Sequence, residues 1–232
     1  MAFQQSTITY SQAQSRVAES VGASSTNELA RALYAIQAAF QHWNNKFNWP
    51  FLAATASASV VAGTADYSLP SNFKSIYGAK LTTINRQLAY LPRRQYDRAV
   101  WNQTAGGDPS HYSLFLAGLD EGKITLIPTP GSADTLSLKY FRRMTIPPSA
   151  GATAIDIPQD YESYVLALAK ALYLIDKGAE ESKWGFWKAY AEEGMAFAKG
   201  SDTRIPDEDL VLVPGSSITP YPAPADYLYP VE

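Results

Sequence analysis

Hydrophobic positions recur at helical spacing near the start of the chain. Between residues 25 and 50, large apolar side chains return every three or four positions, so they share one face of a helix. This face contains Leu29, Leu33, Ile36, Phe40, Trp43 and Phe47. Ser25 followed by Glu28 is typical of a helix N-terminus, and Pro50 cannot continue a helix. The pattern predicts one long helix with a core-facing side.

Three further helices are predicted from similar patterns. A second capping box predicts a short helix over about residues 10–21. Residues 161–175 are apolar on nearly all sides, so we expect this helix to be covered either inside a bundle or between subunits. Gly194 lies inside a fourth predicted helix, 180–199, and its low helix propensity indicates a close helix–helix approach. That helix is expected to place one set of residues on one side: Trp184, Trp187, Tyr190 or Ala191, Gly194 and Phe197.

The middle of the chain changes to a period of two, which is typical of strands. Turn residues divide it into short strands, and a short helix is predicted at 92–103. The predicted strands are 57–61, 67–70, 79–83, 87–91, 111–117, 123–127 and 135–142. In the last of these, Leu136, Leu138 and Tyr140 share a face. Many short strands in so few residues predict a small sandwich or barrel.

These elements predict an α+β fold with helices contributed by both ends of the chain. Each helical pair alone is too small for a stable core, so we expect one up-down bundle from residues 1–52 and 153–200. A small antiparallel β domain, residues 53–152, would be inserted between the second and third of the bundle helices. Residues 201–232 would form an extended C-terminal arm.

The predicted arm has an unusual composition. It holds six of the fifteen prolines and a net charge of −5. Disordered segments are usually poor in aromatic and β-branched residues, whereas this one contains Leu210, Val211, Leu212, Val213, Tyr221, Tyr227 and Tyr229. We therefore interpret it as an arm that binds a neighbouring subunit or a partner, with a solvated terminus as the alternative reading.

Composition excludes several classes of protein. The chain has 232 residues, no cysteine and a net charge of −3, so disulfides and thiolate metal sites are ruled out. No apolar run is long enough to span a membrane, and Met1 to Gln5 does not resemble a signal peptide. The overall charge does not match a basic nucleic-acid footprint.

One basic cluster is a candidate binding surface. Arg86, Arg93, Arg94 and Arg98 are interleaved with Tyr90, Tyr96 and Trp101. Arginine mixed with aromatic residues is enriched at protein interfaces and also binds nucleic-acid backbone. We favour a protein interface, with the acidic arm as one complement. A solvated surface and DNA contact are the alternatives.

No catalytic constellation is recognisable. His42 and His111 have no second ligand at metal-binding spacing, and no phosphate-binding loop or nucleophile elbow occurs. The adjacent carboxylates, such as Glu192 and Glu193, point apart and cannot face each other across a cleft. The sequence predicts no enzyme, no metal and no cofactor.

The order of several motifs resembles the head-to-tail adaptor (connector) proteins of tailed bacteriophages, including the tail-tubular-A type. A helix pair with an aromatic exit at 43–52 is followed by Ala-Asp-Tyr-Ser-Leu-Pro-Ser-Asn-Phe at 65–73. Gly-Asp-Pro-Ser-His-Tyr at 107–112 and Ile-Thr-Leu-Ile-Pro-Thr-Pro at 124–130 come next. Pro-Gln-Asp-Tyr at 158–161 then opens the second helix pair. The resemblance covers about residues 5–200.

The resemblance implies a structural virion protein in the neck (connector), assembled in the host cytoplasm. Its subunits would form a ring, commonly twelve-fold, beneath the portal protein. The ring would extend the DNA channel, through which the genome passes without sequence-specific binding, and would bind a tail or nozzle protein. The family has no catalytic motif.

A carbohydrate- or receptor-binding module of a tail structure is the alternative interpretation. In that case the β domain would be a sandwich carrying a sugar platform of surface aromatics. The residues proposed for this platform are Trp101, Tyr112 and Tyr140. The two flanking helical pairs count against it, because such a module has no need of them.

Overall fold

The computed structural model describes residues 4–22, 25–101, 106–117, 121–146, 149 and 151–202. Within these ranges the protein is α+β, with five α-helices and two four-stranded sheets. The helices are α1 (Tyr10–Ser20), α2 (Thr26–Lys46), α3 (Arg93–Trp101), α4 (Glu162–Asp176) and α5 (Glu181–Asp202). The strands are β1 (Ala53–Val60), β2 (Asp66–Ser68), β3 (Phe73–Leu81), β4 (Arg86–Gln87), β5 (Ala89–Tyr90), β6 (His111–Ala117), β7 (Glu121–Ile127) and β8 (Asp134–Arg142).

Both predicted capping boxes are present and fix the starts of α1 and α2. The Thr9 hydroxyl accepts from the backbone N–H of Gln12 at 3.2 Å, and the Gln12 side chain accepts from the N–H of Thr9. Ser25 and Glu28 make the same reciprocal pair at 3.3 Å. These bonds satisfy backbone donors that have no partner within a helix.

Helices from both ends of the chain share one hydrophobic core. α4 packs against α2 and α5, and α1 packs against α2 and α4. The largest side chains enclosed there are Tyr10, Ile36, Phe40, Trp43 and Trp49. Most of α4 is buried within its own subunit. Of the two kinds of cover predicted for this helix, packing within its own chain accounts for most of its buried residues.

α5 faces α4 with small residues, which allows a close approach. A Cβ placed on Gly194 would lie only 2.0 Å from Cγ of Tyr164, so the predicted role of this glycine is confirmed. Ala191, Met195 and Ala198 are buried beside it. The prediction that Phe197 shares this face is wrong, since its side chain is 57% exposed. The tight contact selects small side chains and leaves the phenylalanine outside.

The two sheets enclose a second, separate core. Their strand orders are β1-β8-β3-β4 and β2-β7-β6-β5. Their inner faces contribute Val60, Ala79, Leu81, Leu88, Tyr112, Ile124, Leu126, Leu136 and Leu138. Most pairs are antiparallel, as expected, but β5 pairs with β6 in parallel. The expectation of a wholly antiparallel domain is therefore wrong at that pair.

The parallel pair arises because the chain changes sheets at Leu88. The predicted strand over 87–91 is two short strands, with β4 in the first sheet and β5 in the second. Leu88 between them is 4% exposed, and its N–H donates to the carbonyl of Ala79. Because Leu88 is buried between the two sheets, the chain bends at this residue and passes from the first sheet to the second.

Polar contacts join the helical core to the sheets. The ammonium of Lys74 on β3 donates to the carbonyls of Asn44 and Phe47 at the end of α2. Burial lowers the pKa of this ammonium. The side-chain oxygen of Asn44 accepts from the N–H of Met144 at 3.1 Å. Lys74 therefore supplies hydrogen-bond donors to carbonyls at the end of α2, which have no N–H partner within the helix.

A buried ion pair lies at the end of β8. The guanidinium of Arg142 binds both oxygens of Asp156, with 2.7 Å between Nη2 and Oδ1. The N–H of Thr145 also donates to Asp156 at 2.9 Å. Burial alone would raise the pKa of Asp156, but the hydrogen bonds from Arg142 and Thr145 outweigh it and hold the pKa below its usual value. The carboxylate is therefore charged, and both of its oxygens accept hydrogen bonds.

Candidate interaction surfaces

Neither a membrane span nor a metal cluster is evident in the described ranges. Their helices include none that combines the length and apolar character needed to cross a membrane. The same ranges contain no group of three or more histidine, aspartate and glutamate side chains arranged for a metal ion. His111 lies 2.8 Å from the hydroxyl of its neighbour Ser110. The remaining candidates among the described residues are surfaces that could bind another macromolecule.

The predicted arginine cluster is centred on α3, which lies against β6. The guanidinium of Arg93 is 3.9 Å from the centre of the Phe115 ring and also contacts the Tyr96 ring. Its Nε donates to Asp97 at 3.1 Å. These contacts hold Arg93 against α3 and β6 of its own chain, and its side chain is still 59% exposed.

Arg94 and Arg98 are two further cations of this cluster. They are four residues apart on α3 and exposed, so they lie on one side of the helix. Arg86 belongs to β4, where its side chain donates to the carbonyl of Asp108 at 3.3 Å. The structure thus places Arg93, Arg94 and Arg98 on one helix, with Arg94 and Arg98 on one side of it.

A groove lies between α4 and α5, with Arg16 of α1 at its edge. It encloses about 470 Å³ and is lined mainly by apolar groups, including Leu166, Phe186, Trp187 and Tyr190. Phe186 is 66% exposed. Its ring is nearly parallel to that of Tyr190, at an interplanar angle of 8° with 6.4 Å between centres. The groove therefore presents aromatic faces to solvent.

Two cations and one carboxylate border the groove. The ammonium of Lys170 lies 4.4 Å from the centre of the Trp187 ring, and burial lowers its pKa. Arg16 pairs with Glu162 at 3.0 Å, and Glu162 also accepts from the hydroxyl of Ser6 at 2.7 Å. The local charge is net positive.

Sequence reasoning did not find this groove. The helical pattern assigned the aromatics of α5 to a buried face and did not consider Phe186. Trp184, Phe186 and Trp187 fall within four consecutive residues, and successive residues of a helix point about 100° apart. These three aromatic side chains cannot all face one core. Their close spacing in the sequence could therefore have predicted that at least one of them is exposed.

The predicted sugar platform is contradicted at two of its three positions. Tyr112 and Tyr140 are each only 5% exposed, and the hydroxyl of Tyr140 donates to Asn72 at 3.0 Å. Tyr140 shares its face with Leu136 and Leu138, which already indicated an inward direction. The side chain of Trp101 lies outside the described part of the structure.

The arm residues proposed as binding groups lie outside the described residues. These are Leu210, Val211, Leu212, Val213, Tyr221, Tyr227 and Tyr229. The last described element, α5, continues to Asp202. Residues 201 and 202 of the predicted arm belong to this helix, and the rest of the arm lies outside the described residues.

Comparison with known proteins gives one match. A family model described as SU10 adaptor protein matches residues 8–210. The match therefore includes both helical ends and all eight strands. No curated protein matches the chain.

Proposed function

Since the chain belongs to the SU10 adaptor protein family, a family of phage head-to-tail adaptors, we propose that it forms a ring joining the portal to the tail. The family match confirms the resemblance inferred from the order of motifs. The family is structural and is not an enzyme family, and its members are components of the virion. The observation that carries the proposal is the extent of the match, residues 8–210, which covers every described helix and strand and leaves out only residues 4–7 of the described chain.

We propose that residues 1–52 and 153–200 form an up-down helical bundle and that residues 53–152 are an inserted β domain. Two separate hydrophobic cores support this division. The packing of α2 against α4, which are distant in sequence, also supports it. Met144 and Ile146 pack with the helical core. The part of the chain that belongs to the β core therefore ends near Arg142, before the proposed boundary at residue 152.

In the proposed ring, each subunit contacts two copies of itself, commonly in a twelve-membered assembly. A closed ring needs two different complementary patches on each subunit. The exposed side of α3, with Arg94 and Arg98, is our candidate for one patch. The genome would pass through the ring without sequence-specific contacts, and a neutral to acidic channel wall would avoid adhesion to phosphate.

The arm is the proposed portal-binding element. Its prolines lower the entropy lost on docking, and its tyrosines can act as rigid anchors. Its net charge of −5 would favour a basic groove on the portal. The tail or nozzle protein would bind the opposite side of the ring, and assembly would take place in the host cytoplasm.

Charge reversal on α3 is expected to weaken association between subunits. In the variant Arg94→Glu/Arg98→Glu, four units of charge change on one exposed face, and the apparent association constant should fall by about tenfold or more. The measurement is sedimentation velocity over a range of concentrations and salt. Lys183→Glu, an exposed charge reversal near the start of α5, is the matched control and should have little effect. Equal association of the two variants would remove α3 from the interface.

Co-expression with the portal protein of the same phage tests the proposed function. We expect native mass spectrometry to detect a complex of portal and ring with the full chain. A chain ending at Asp202 should fold, as judged by circular dichroism, but should not join the portal. A truncated chain that still assembles into DNA-filled particles would contradict the role of the arm. A monomer that binds glycans and ignores the portal would contradict the adaptor function.

A further inference from the structure

The aromatic groove between α4 and α5 has no occupant among the described residues, although its shape and lining are typical of a peptide site. Grooves lined by aromatic side chains bind proline-rich segments in the polyproline II conformation, because such segments lose little entropy on docking. Phe186, Trp187 and Tyr190 provide the aromatic lining here. Lys170 and Arg16 add positive charge at its border.

The C-terminal segment of the same chain has a matching pattern. Polyproline II has three residues per turn, so every third side chain lies on one side. Tyr221, Pro224, Tyr227 and Pro230 follow this spacing and would form one face made only of tyrosine and proline. Asp226 lies on an adjacent face, where it could pair with a groove cation.

The length of the intervening chain fits docking within one subunit. The helix rises 1.5 Å per residue, so the end of α5 at Asp202 lies about 22 Å from Trp187. Eighteen residues, 203–220, separate α5 from this segment, and a flexible linker of eighteen residues has a root-mean-square span of about 21–25 Å. Effective concentration is greatest when linker length matches the distance to be spanned. The segment is thus favoured to reach its own groove over that of a second copy.

We propose that residues 221–227 of the free chain dock in the α4–α5 groove of the same subunit. The tyrosine and proline face packs on Phe186, Trp187 and Tyr190, and the one carboxylate of the segment, Asp226, complements Lys170. This contact belongs to the free subunit and does not depend on the proposed binding of the arm to a portal. In an assembling particle, portal binding would have to release the segment from the groove.

Cysteine cross-linking in the full chain tests this docking. The protein has no cysteine, so only introduced thiols react. Ser163 is exposed and lines the groove. Ser163→Cys combined with Ala223→Cys, treated with a short bismaleimide, is expected to give a rapid link within one chain. Mass spectrometry of peptides and denaturing gels identify the linked positions and the number of chains.

The control pair is Ala196→Cys with Ala223→Cys. Ala196 is exposed on α5 and is closer to residue 223 in sequence. An undocked segment would therefore link to position 196 faster than to position 163, because Ala196 lies about 9 Å along α5 from Asp202, whereas Ser163 lies beside Tyr190, about 18 Å along the helix from Asp202. Docking reverses this order. Faster reaction at 196 overturns the proposal, and a cross-linked dimer as the main product also overturns it by assigning the segment to a second copy.

Substitutions on each side of the contact complete the test. Tyr221→Ser/Tyr227→Ser should return the 163–223 link to the rate of an undocked segment. Tyr229→Ser is the matched control, because residue 229 lies off the docking face and its loss should leave the rate unchanged. Phe186→Ser should slow the link, whereas Tyr34→Ser, at a position 70% exposed on α2, should not. If Tyr229→Ser and Tyr221→Ser/Tyr227→Ser have equal effects, the proposed face is wrong.

Discussion

Gly194→Ala is expected to lower the free energy of unfolding by about 3 kcal/mol, near the upper end of the usual cost of overpacking. The new Cβ would lie 2.0 Å from Cγ and 2.6 Å from Cβ of Tyr164. These atoms are close to the backbone of α4, so a side-chain rotation cannot remove the overlap and the helices must separate. The gain of about 1 kcal/mol in helix propensity is too small to compensate. Urea-induced unfolding measures the difference, and the melting temperature should fall by about 6–12 °C.

Gly185→Ala is the matched control on the same helix. A Cβ at this position would meet only Cγ of Glu181, at 3.9 Å, which is ordinary contact. The substitution should therefore stabilise the protein by up to about 1 kcal/mol. If both alanine variants change stability in the same direction and to the same extent, α4 and α5 do not approach as closely as described.

Asp156→Ala is expected to cost about 3 kcal/mol, the lower end of the cost of removing one member of a buried ion pair, because the Arg142 side chain is 24% exposed and its uncompensated charge stays partly hydrated. The guanidinium of Arg142 would lose both its oxygen partners, and the N–H of Thr145 would lose its acceptor. The control is Asp176→Ala, which breaks an exposed pair with Arg31 at 3.8 Å and should cost less than about 1 kcal/mol. Chemical denaturation of both variants at pH 7 provides the comparison.

The same carboxylate gives the stability a defined pH dependence. The pKa of Asp156 is lowered in the folded state. As the pH falls, the carboxylate of Asp156 therefore binds a proton in the unfolded chain before it does so in the folded protein. Its contribution is fully present above the unfolded pKa of about 4 and is lost as the pH falls through the folded pKa. Between pH 5 and pH 2, Asp156→Ala should lose less stability than the parent chain. An identical pH profile for the two proteins would show that another group is responsible.

The helices were the most predictable part of the fold because their signals are local. Capping residues act within four positions, and the stripe on α2 repeats through six apolar side chains. The stripe nevertheless gave only part of the buried face, since Ala32, Ala35 and Ala39 are also buried. Alanine is only weakly hydrophobic, so its burial is not evident from the sequence pattern. Its burial depends on how closely the neighbouring helix approaches.

The strands were harder to delimit because weakly hydrophobic residues carry several of them. β1 is Ala-Ala-Thr-Ala-Ser-Ala-Ser-Val, and it begins four residues before the predicted strand. β3 begins at Phe73, six residues before the predicted start. The change of sheet at Leu88 depends on which strands are neighbours in space. The alternation of polar and apolar residues within one strand does not carry that information.

The interaction surfaces were predicted only in part. The sequence pattern grouped the arginines correctly, but the attachment of Arg93 to Phe115 joins residues on different elements and could not be inferred from spacing. The α4–α5 groove depends on the phase of two helices relative to each other. A change of one residue in that phase would rotate the lining side chains by about 100°.

The pairing of β1 with β8 has a consequence for how this protein can vary. Ala53 lies opposite Phe141 in the register, so the chain enters and leaves the sheets through adjacent strands whose Cα atoms are about 5 Å apart. From the side of the helices, the whole intervening segment is equivalent to a short loop. Lengthening that segment adds closure entropy only as the logarithm of its length. Insertions, deletions or an exchanged module can therefore accumulate in the sheets, where new contacts could evolve, while the helical scaffold keeps its geometry.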